Sequence, residues 1–525
     1  MSLWRSWSDG SFALARSQSK PVLAAVGPGV PESLRAEEAL IQGLFIPVLV
    51  DPEQRPDAAA RIGRGHAVVL DTLGARRAVL PLPASGLSST LPRLASEAAS
   101  HADGRPEPEA PAWTGAVRKE PFGAAPGEEL LSQAFADARR AAAAEAPSLD
   151  VLEALLYAAS ERSDREARAL LAMPFDRLLS GPLWDRERLM FLPEGESSLL
   201  ANCRRARMFW AAHALTREAR WREAAEGSSL FMLKSLYDPG TGAFRLDEGP
   251  APAVFTADAN AQAVLTLLRA AAFGVPGAAE AAEKTLTFLR SRLYDPLLGL
   301  QHSTSGDGSS VCGLLSDAAW TALAFAAASQ STGLKPPREF ADALLRFLFQ
   351  ELWERDGGGF LDRVPRAGDP LILREPHLDP GLNAVALEVC WRLHHLKGNA
   401  NYRRWLDWGL RGVWPVAAPG ASGLYGLARV ADMAARGRLD LELVGRVGGA
   451  GCAELLRAAV REYAPRAIIS IVDPDDQDYI LAHKLTADSY PRLFGCGADL
   501  RRLSDTDDPA RVAAVFAAAR AAAGI

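Results

Sequence analysis

One short pattern occurs four times in the middle of this 525-residue chain, and it limits the possible folds more than any other feature. It is an aromatic turn, as in "LYDPGTGAF" and "LWERDGGGF". The copies begin at Leu183, Leu236, Leu293 and Leu352, at spacings of 53, 57 and 59 residues. Each copy follows an amphipathic helical segment and precedes a more apolar, alanine-rich one. A period of about 50–60 residues holds two helices with their loops, and such units are stable when they stack. The sequence therefore predicts helical hairpins.

Further helical segments extend this repeat on both sides. Two precede it, at 128–146 and 149–161, and two follow it, at 401–413 and 423–435. The second helix of each pair is apolar nearly all round, which is typical of a helix buried between layers, whereas the first is amphipathic. About twelve helices in alternating inner and outer positions predict an (α/α)6 toroid over residues 129–437.

The two ends of the chain have a different pattern. Residues 1–101 contain four short β-rich runs, "PVLAAVG", "FIPVLVD", "HAVVLDT" and "AVLPLPA", with helical or turn-like segments between them, including a helix over about 32–44. This indicates a small α/β domain. Residues 102–128 are rich in Pro, Gly and Ala and are predicted to be a linker. Residues 438–525 alternate strand and helix signals again, which predicts a small C-terminal α/β layer.

Composition excludes several classes of function. A net charge of −6 provides no basic surface for nucleic acid. No apolar stretch near the N-terminus fits a secretory signal, and none is long enough for a membrane span. The five cysteines lie far apart without a C-x-x-C pair, so we expect buried thiols in a reducing cytoplasm. We expect no zinc site, no disulfide framework and no cofactor.

Several motifs resemble those of one family. The strand in "FIPVLVDPEQRPD" is similar to a family strand that ends in Val-Asp-Arg-Glu-Glu-Arg-Pro-Asp. The matching residues here are Val50, Asp51, Glu53, Arg55, Pro56 and Asp57. "LLSDAAWTAL" resembles a family helix start and retains Asp317, and Cys496 stands where the family has a cysteine before its closing helix. The chain thus resembles the thioredoxin-domain/six-hairpin family, which includes the human spermatogenesis-associated thioredoxin-like protein. That resemblance implies an N-terminal thioredoxin-like domain and a six-hairpin, glycosidase-like toroid.

The chain departs from the family at the redox site. The family has Cys-His-Trp-Cys-His between its first strand and helix, whereas this chain passes from Gly27 to Glu32 through "PGVP". Thiol–disulfide exchange needs an attacking thiolate and a resolving thiol, and neither is present. We therefore exclude thiol–disulfide oxidoreductase activity and expect a degenerate thioredoxin-like domain.

The candidate functional residues lie at the starts of the predicted inner helices, which converge on one mouth of a toroid. Hydrolysis at a sugar bond needs two carboxyl groups, one protonated and one ionised. The candidates for that catalytic role are Asp317, Asp258 and Glu196. Candidates for ligand binding at the same mouth are Asn202, Asn260, His377, Asp379 and Asn383.

Each group of candidates also has a structural explanation. Asp and Asn are favoured helix N-caps, which accounts equally well for Asp258 and Asp317. A lone histidine such as His377 in a polar loop is commonly just solvated, although Asp379 is placed to orient it. The aromatic turns have planar faces that suit sugar rings, yet their presence in every repeat favours a packing role.

Two classes of function remain open. The first is a degenerate member of the family, a pseudoenzyme whose toroid mouth binds a sugar, another small molecule or a protein partner. The second is an enzyme of carbohydrate metabolism, a hydrolase or epimerase with paired carboxylates at the mouth. Fold resemblance alone does not decide between them.

Overall fold

The computed structural model describes residues 4–100, 125–144, 147–249, 253–304, 311–366, 368–417, 423–497 and 501–525. The chain divides into two compact units. The first comprises Met1–Arg118, Asp295–Leu314 and Leu361–Leu378, and the second comprises Lys119–Tyr294, Leu315–Phe360 and Asp379–Ile525. The predicted linker 102–128 lies mostly outside the described residues. The predicted division at residues 101, 128 and 437 stays a prediction.

The first unit is an α/β structure. Its strands are β1 (Arg5–Ser6), β2 (Val22–Val26), β3 (Ile46–Val50), β4 (His66–Leu70) and β5 (Arg76–Pro81). Its first five helices are α1 (Asp9–Gln18), α2 (Glu32–Arg35), α3 (Glu38–Leu44), α4 (Pro56–Ile62) and α5 (Leu87–Ser100). The four β-rich runs of the sequence all form strands. The single helix expected over about 32–44 is instead two helices, because the backbone leaves the helical region at Glu37 (φ −108°, ψ 20°).

The strands form one mixed sheet in the order β1-β3-β2-β4-β5. β2 runs parallel to β3, with Val22 opposite Ile46, and antiparallel to β4, with Val22 opposite Leu70. Alternate residues of β2 enter separate apolar clusters on the two faces of the sheet, because successive side chains of a strand point in opposite directions. Helices cover both faces, which explains why β2 is apolar at every position.

Buried arginines hold the segment Leu361–Leu378 within the first unit. Arg61 donates two hydrogen bonds to the Asp362 carboxylate, at 2.6 and 3.0 Å, and a third to the carbonyl of Glu375 at 2.7 Å. Burial raises the pKa of Asp57, but the charge and hydrogen bonds of Arg55 and the charge of Arg363 outweigh it and lower this pKa to about 2. Arg55 and Asp57 of the "EQRPD" motif therefore have a structural role here.

The second unit contains a closed ring of six helices. The helices that lead into and form it are α6 (Glu128–Ala142), α7 (Leu149–Glu161), α8 (Arg165–Leu170), α9 (Ala172–Ser180), α10 (Ser198–Thr216), α11 (Ala219–Phe231), α12 (Ala257–Ala272), α13 (Ala278–Phe288), α14 (Leu315–Thr332) and α15 (Lys335–Glu351). After a one-turn helix of the first unit, α16 (Leu371–Arg374), the ring continues with α17 (Pro380–Lys397), α18 (Ala400–Val413) and α19 (Leu424–Arg436).

The inner helices are the apolar ones that the sequence indicates. α7, α10, α12, α14, α17 and α19 each pack against the next, and α19 packs back against α7, which closes the ring. The amphipathic helices α6, α11, α13, α15 and α18 pack against the inner helices as outer members of the hairpins, and the two short helices α8 and α9 follow α7. The predicted alternation of inner and outer helices is confirmed for the described residues.

The recurring aromatic turns are small β-hairpins. Their strands are β6 (Trp184–Asp185), β7 (Met190–Phe191), β8 (Tyr237–Asp238), β9 (Ala243–Phe244), β10 (Tyr294–Asp295) and β11 (Gly299–Leu300). In the first two hairpins the first aromatic ring packs on the second: Trp184 on Phe191 with ring centroids 4.7 Å apart, and Tyr237 on Phe244 at 4.9 Å. The following aspartate accepts turn N–H bonds, as Asp238 does from Gly240 at 2.9 Å. The packing explanation for these aromatic residues is therefore the one the structure supports.

The C-terminal region is a sheet with helices, and it packs on the ring. Its elements are β12 (Leu439–Val444), α20 (Ala450–Arg461), β13 (Ala467–Val472), α21 (Gln477–Ala482), β14 (Arg492–Cys496), β15 (Arg502–Thr506) and α22 (Val512–Ala522). The strand order is β13-β12-β14-β15, with β12 and β13 parallel. α20 packs against α12 and α14, and β13 against α17. None of the helices in the described ranges has both the length and the apolarity that a membrane span requires.

Candidate functional site

Three asparagines near the starts of inner helices bind the aromatic hairpins. The Asn260 carbonyl accepts from the Phe244 N–H at 2.7 Å, and its amide nitrogen donates to the carbonyls of Phe244 at 3.0 Å and Thr256 at 2.9 Å. Asn202 makes the same bonds to Phe191, and Asn383 to Phe360. All three side chains are fully buried. These bonds to the backbone give the three asparagines a structural role, and the ligand-binding role expected from the sequence stays a prediction.

Two of the predicted catalytic carboxylates lie close together. Asp258 is the second residue of α12, and Asp317 is the third residue of the neighbouring inner helix α14. A carboxylate oxygen of one lies within 4.8 Å of a carboxylate oxygen of the other. Asp258 is partly exposed, whereas Asp317 is fully buried. In this pair, the carboxyl group of Asp317 is enclosed by protein and that of Asp258 is accessible to solvent.

The third carboxylate, Glu196, is neutralised by its neighbours. It lies in the loop before α10 and forms ion pairs with Arg205 at 2.6 Å and Arg204 at 3.7 Å. A carboxylate that is paired with two guanidinium groups has a structural role and is not available to donate or accept a proton. Glu196 is thus a weaker catalytic candidate than Asp258 and Asp317.

Asp379 and His377 fall into different compact units. Asp379 is the N-cap of α17, and its side chain accepts from the Leu382 N–H at 2.8 Å, which is the capping role considered from the sequence. His377 belongs to the first unit, where its carbonyl accepts from the Asp362 N–H at 3.0 Å. Its side chain is 8% exposed, so the expectation of a solvated histidine is wrong. Its buried Nδ1 has no hydrogen-bond partner within the described residues.

The cysteines form no redox pair. All five are free, and Cys203, Cys390, Cys452 and Cys496 are buried. Burial raises the pKa of Cys203 and of Cys496 to about 12, which keeps both as unreactive thiols at neutral pH. In the first unit, α2 begins at Glu32 after a turn without cysteine.

A cavity of about 230 Å³ lies within the helical unit, lined by all six inner helices and by the C-terminal layer. Its charged and aromatic lining residues are Glu153, Arg207, Arg269, Trp320, Glu388, Arg392, Arg429, Glu462 and Tyr463. Apolar side chains such as Leu265 and Leu268 complete the wall. The lining positions come mostly from the middle and C-terminal halves of the inner helices. Arg269 lies eleven residues after Asp258 in α12, whereas the lining residue Trp320 lies one turn after Asp317 in α14.

Ion pairs organise one side of this cavity. Glu388 bonds Arg429 at 2.7 Å and Arg392 at 2.7 Å. Burial raises the pKa of Glu388, but the charges of Arg429 and Arg392 outweigh it and lower this pKa to about 2. On the other side, burial is the main influence on Arg269 and lowers its pKa.

Sequence reasoning overlooked the cavity residues, although a signal was present. Arg207, Arg269, Glu388 and Arg429 interrupt the apolar inner helices in "RARMFWAAHA", "LTLLRAAA", "VALEVCW" and "GLARVADM". A charge in the middle of a buried helix needs a partner or a polar cavity. Only the ring shows that these four charges face one space.

No family model and no curated protein matches the chain. Among solved structures, a family 76 glycoside hydrolase from a bovine Bacteroides thetaiotaomicron strain is similar at 14% identity and a TM-score of 0.36, over 42% of this chain and 48% of that one. The chain thus covers about half of that hydrolase.

Two further solved structures are similar over more of their own length. An unsaturated glucuronyl hydrolase specific for heparin has 14% identity and a TM-score of 0.46, over 59% of this chain and 97% of that one. A D-mannose isomerase has 9% identity and a TM-score of 0.47, over 59% and 98%. Similarity at this level leaves substrate and reaction to be argued from the chain's own residues.

Proposed function

We propose that the helical unit is a carbohydrate-active enzyme, a hydrolase or epimerase, with Asp258 and Asp317 as its acid–base pair. The observation that carries the proposal is the approach of their carboxylate oxygens to within 4.8 Å. Glycoside chemistry needs two carboxyl groups flanking one bond, at about 5–5.5 Å when one of them attacks the sugar and further apart when water does. The close spacing favours direct attack or proton shuttling across one sugar carbon.

The two carboxyl groups differ in their surroundings, and their proposed roles follow from that difference. Asp317 is enclosed, and we assign it the proton-donor role, because a carboxyl group shielded from water can deliver a proton to a leaving oxygen. Asp258 is partly exposed, so it is the one that attacks or accepts a proton. The neighbouring Asn260 holds the start of α12 on its hairpin and thereby positions Asp258.

The test is a turnover assay on the full-length protein with single substitutions. The substrates are a panel of aryl glycosides, and sugar epimerisation is followed in D2O by NMR. Asp258→Asn and Asp317→Asn are each expected to lower kcat by about 10²–10⁴-fold, the range for loss of a general acid or base. Asp176→Asn serves as control, because Asp176 is an exposed carboxylate on α9 paired with Arg220. Unchanged kcat in both variants would refute the assignment.

A ligand-binding scaffold without turnover is the second candidate. It is favoured by the full burial of Asp317 and by the cavity in the middle of the ring. Binding of a sugar that raises Tm equally in wild type, Asp258→Asn and Asp317→Asn, with no product formed, would favour the scaffold.

For the first unit, we infer a thioredoxin-like domain without redox chemistry. Strands β2 to β5 have the order β3-β2-β4-β5, and the helices α2 and α3 join the parallel pair β2 and β3, which supports the resemblance to a thioredoxin-like domain. The missing cysteines exclude disulfide exchange at its usual place. An insulin-reduction assay with dithiothreitol is expected to give the uncatalysed rate.

A further inference from the structure

We propose that the cavity lined by the six inner helices binds a small anionic metabolite, with Arg269 as the main anion ligand. It would be a second site, distinct from the carboxylate pair. Arg269 follows Asp258 by eleven residues in α12, which corresponds to about 16 Å along the helix.

The cavity has an excess of hydrogen-bond donors without acceptors. Nη1 of Arg269, Nε2 of Gln330 and Nε of Arg429 are buried and have no hydrogen-bond acceptor within the described residues. All three residues line the same cavity, and they come from three different inner helices. Buried polar groups in native proteins are almost always paired, so three donors around one space indicate a missing acceptor.

The cavity also contains positive charge that a water molecule cannot balance. The carboxylate of Glu388 is used by Arg392 and Arg429, and the carboxylate of Glu462 by Arg217 at 2.7 Å. Neither Arg207 nor Arg269 forms an ion pair with a carboxylate of the described residues. The third lining carboxylate, Glu153, lies 3.6 Å from Arg429. The charge of Glu462 acts on Arg269 but does not pair with it directly, so two guanidinium groups without a paired carboxylate make an anion the favoured occupant.

Aromatic rings hold these two arginines in place. The Arg207 guanidinium lies 5.2 Å from the centre of the Trp320 ring, and that of Arg269 lies 5.7 Å from the centre of the Tyr463 ring. Such contacts orient a guanidinium without neutralising it. Both arginines thus stay available for an oxyanion.

Size and lining define the class of ligand. The volume of about 230 Å³ is smaller than the roughly 300–1,000 Å³ of pockets for drug-sized molecules. Leu265, Leu268 and the ring of Trp320 provide apolar walls opposite the donors. The ligand we infer is a single small body, such as one sugar ring, that carries one carboxylate or phosphate.

The experiment follows thermal unfolding of the full chain at constant ionic strength with three probes. Glucuronate carries a carboxylate, inorganic phosphate represents the phosphate group, and glucose is the neutral counterpart of glucuronate. A ligand that binds only the folded state raises Tm in proportion to its occupancy. We expect glucuronate, phosphate or both to raise Tm, and glucose to leave it unchanged. The relative sizes of the first two shifts identify the preferred oxyanion.

The decisive variant is Arg269→Met, with Arg165→Met as control, because Arg165 is exposed on α8. Arg269→Met is expected to weaken anion binding at least tenfold. It should also leave Tm without ligand unchanged or higher, because a buried charge without a counter-ion destabilises the fold. A purely structural arginine would instead lower Tm when replaced. Gln330→Leu, which removes a neutral donor, is expected to weaken binding several-fold and keeps the test valid if Arg269→Met fails to fold.

Three results would overturn the proposal. The first is that neither anion raises Tm above that of a chloride-matched sample. The second is that the anion-dependent shift persists in Arg269→Met and Gln330→Leu. The third is that Arg165→Met loses as much of the shift as Arg269→Met, which would indicate a general salt effect.

Discussion

The link between each inner helix and its aromatic hairpin leads to a quantitative prediction for Asn260→Ala. The substitution removes three buried hydrogen bonds, two of them to the backbone of Phe244 and one to the carbonyl of Thr256. A net contribution of about 1 kcal/mol for each bond gives a loss of about 3 kcal/mol in the free energy of unfolding. The Phe244 N–H and C=O would also lose their side-chain partner, so the loss is expected to be at least this large.

The assay is thermal and urea unfolding of the full chain, monitored by far-UV circular dichroism. For a unit of this size, about 3 kcal/mol corresponds to a fall in Tm of about 4 °C. Asn202→Ala and Asn383→Ala should have similar effects, because their amides make the matching bonds to Phe191 and Phe360. The control is Asn401→Ala, an exposed asparagine on α18, which should change stability by less than about 0.5 kcal/mol.

Unfolding of Asn260→Ala at the wild-type Tm and urea concentration would contradict the structural role of Asn260. A variant that keeps its stability but loses affinity for a sugar would also contradict it, and would support the ligand-binding role expected from the sequence. Asn260→Asp separates the bonds further. It retains an acceptor for the Phe244 N–H but places a carboxylate against two carbonyl oxygens, so it should destabilise at least as much as alanine.

Four other predictions concern the C-terminal layer and the thiols. Arg466 and Glu161 form a buried ion pair at 2.9 Å between the end of α7 and the C-terminal layer. Arg466→Met should cost about 3–5 kcal/mol in urea unfolding, and Glu161→Leu/Arg466→Met should recover most of it, because only the single variant leaves the buried Glu161 carboxylate with no closer cation than Arg520 at 3.8 Å. Burial, together with the charge of Asp440, raises the pKa of Glu442 to about 7 from the ordinary 4.5. The folded state thus holds a proton that the unfolded state loses, so the stability from this group is complete below about pH 4.5 and declines as the pH rises to about 7. Glu442→Gln should flatten that part of the pH profile, and an unchanged slope would contradict the assignment. Replacing all five cysteines with serine should leave any sugar-directed activity intact, whereas disulfide reductase activity that disappears in that variant would contradict the exclusion of redox chemistry. In native protein at pH 8, the buried thiol of Cys203 should resist alkylation until the protein unfolds.

Much of the architecture was predictable from local patterns. The four apolar runs of the first hundred residues form strands β2 to β5, and the alternation of amphipathic and apolar helices predicts the outer and inner members of the ring. These predictions hold because the spacing of apolar residues along a helix or strand shows which of its faces is buried, and that spacing can be read from each element alone. The short edge strand β1 and the break between α2 and α3 were not predicted. A strand of two residues is too short to show an alternating pattern, and the break depends on the backbone angles of a single residue.

The candidate site was predictable only in part. The sequence by itself determined which residues stand at the starts of the inner helices, and it thereby selected Asp258 and Asp317. Only the tertiary structure brought their carboxylates to within 4.8 Å, because they belong to different hairpins whose spacing depends on helix packing. It also decided that Asn202, Asn260 and Asn383 serve the hairpins, through backbone groups that lie many residues earlier in the chain. The ring likewise brings Arg207, Arg269 and Arg429 together around one cavity. The sequence pattern of a helix shows which of its faces is buried, but it does not show which residues that face contacts.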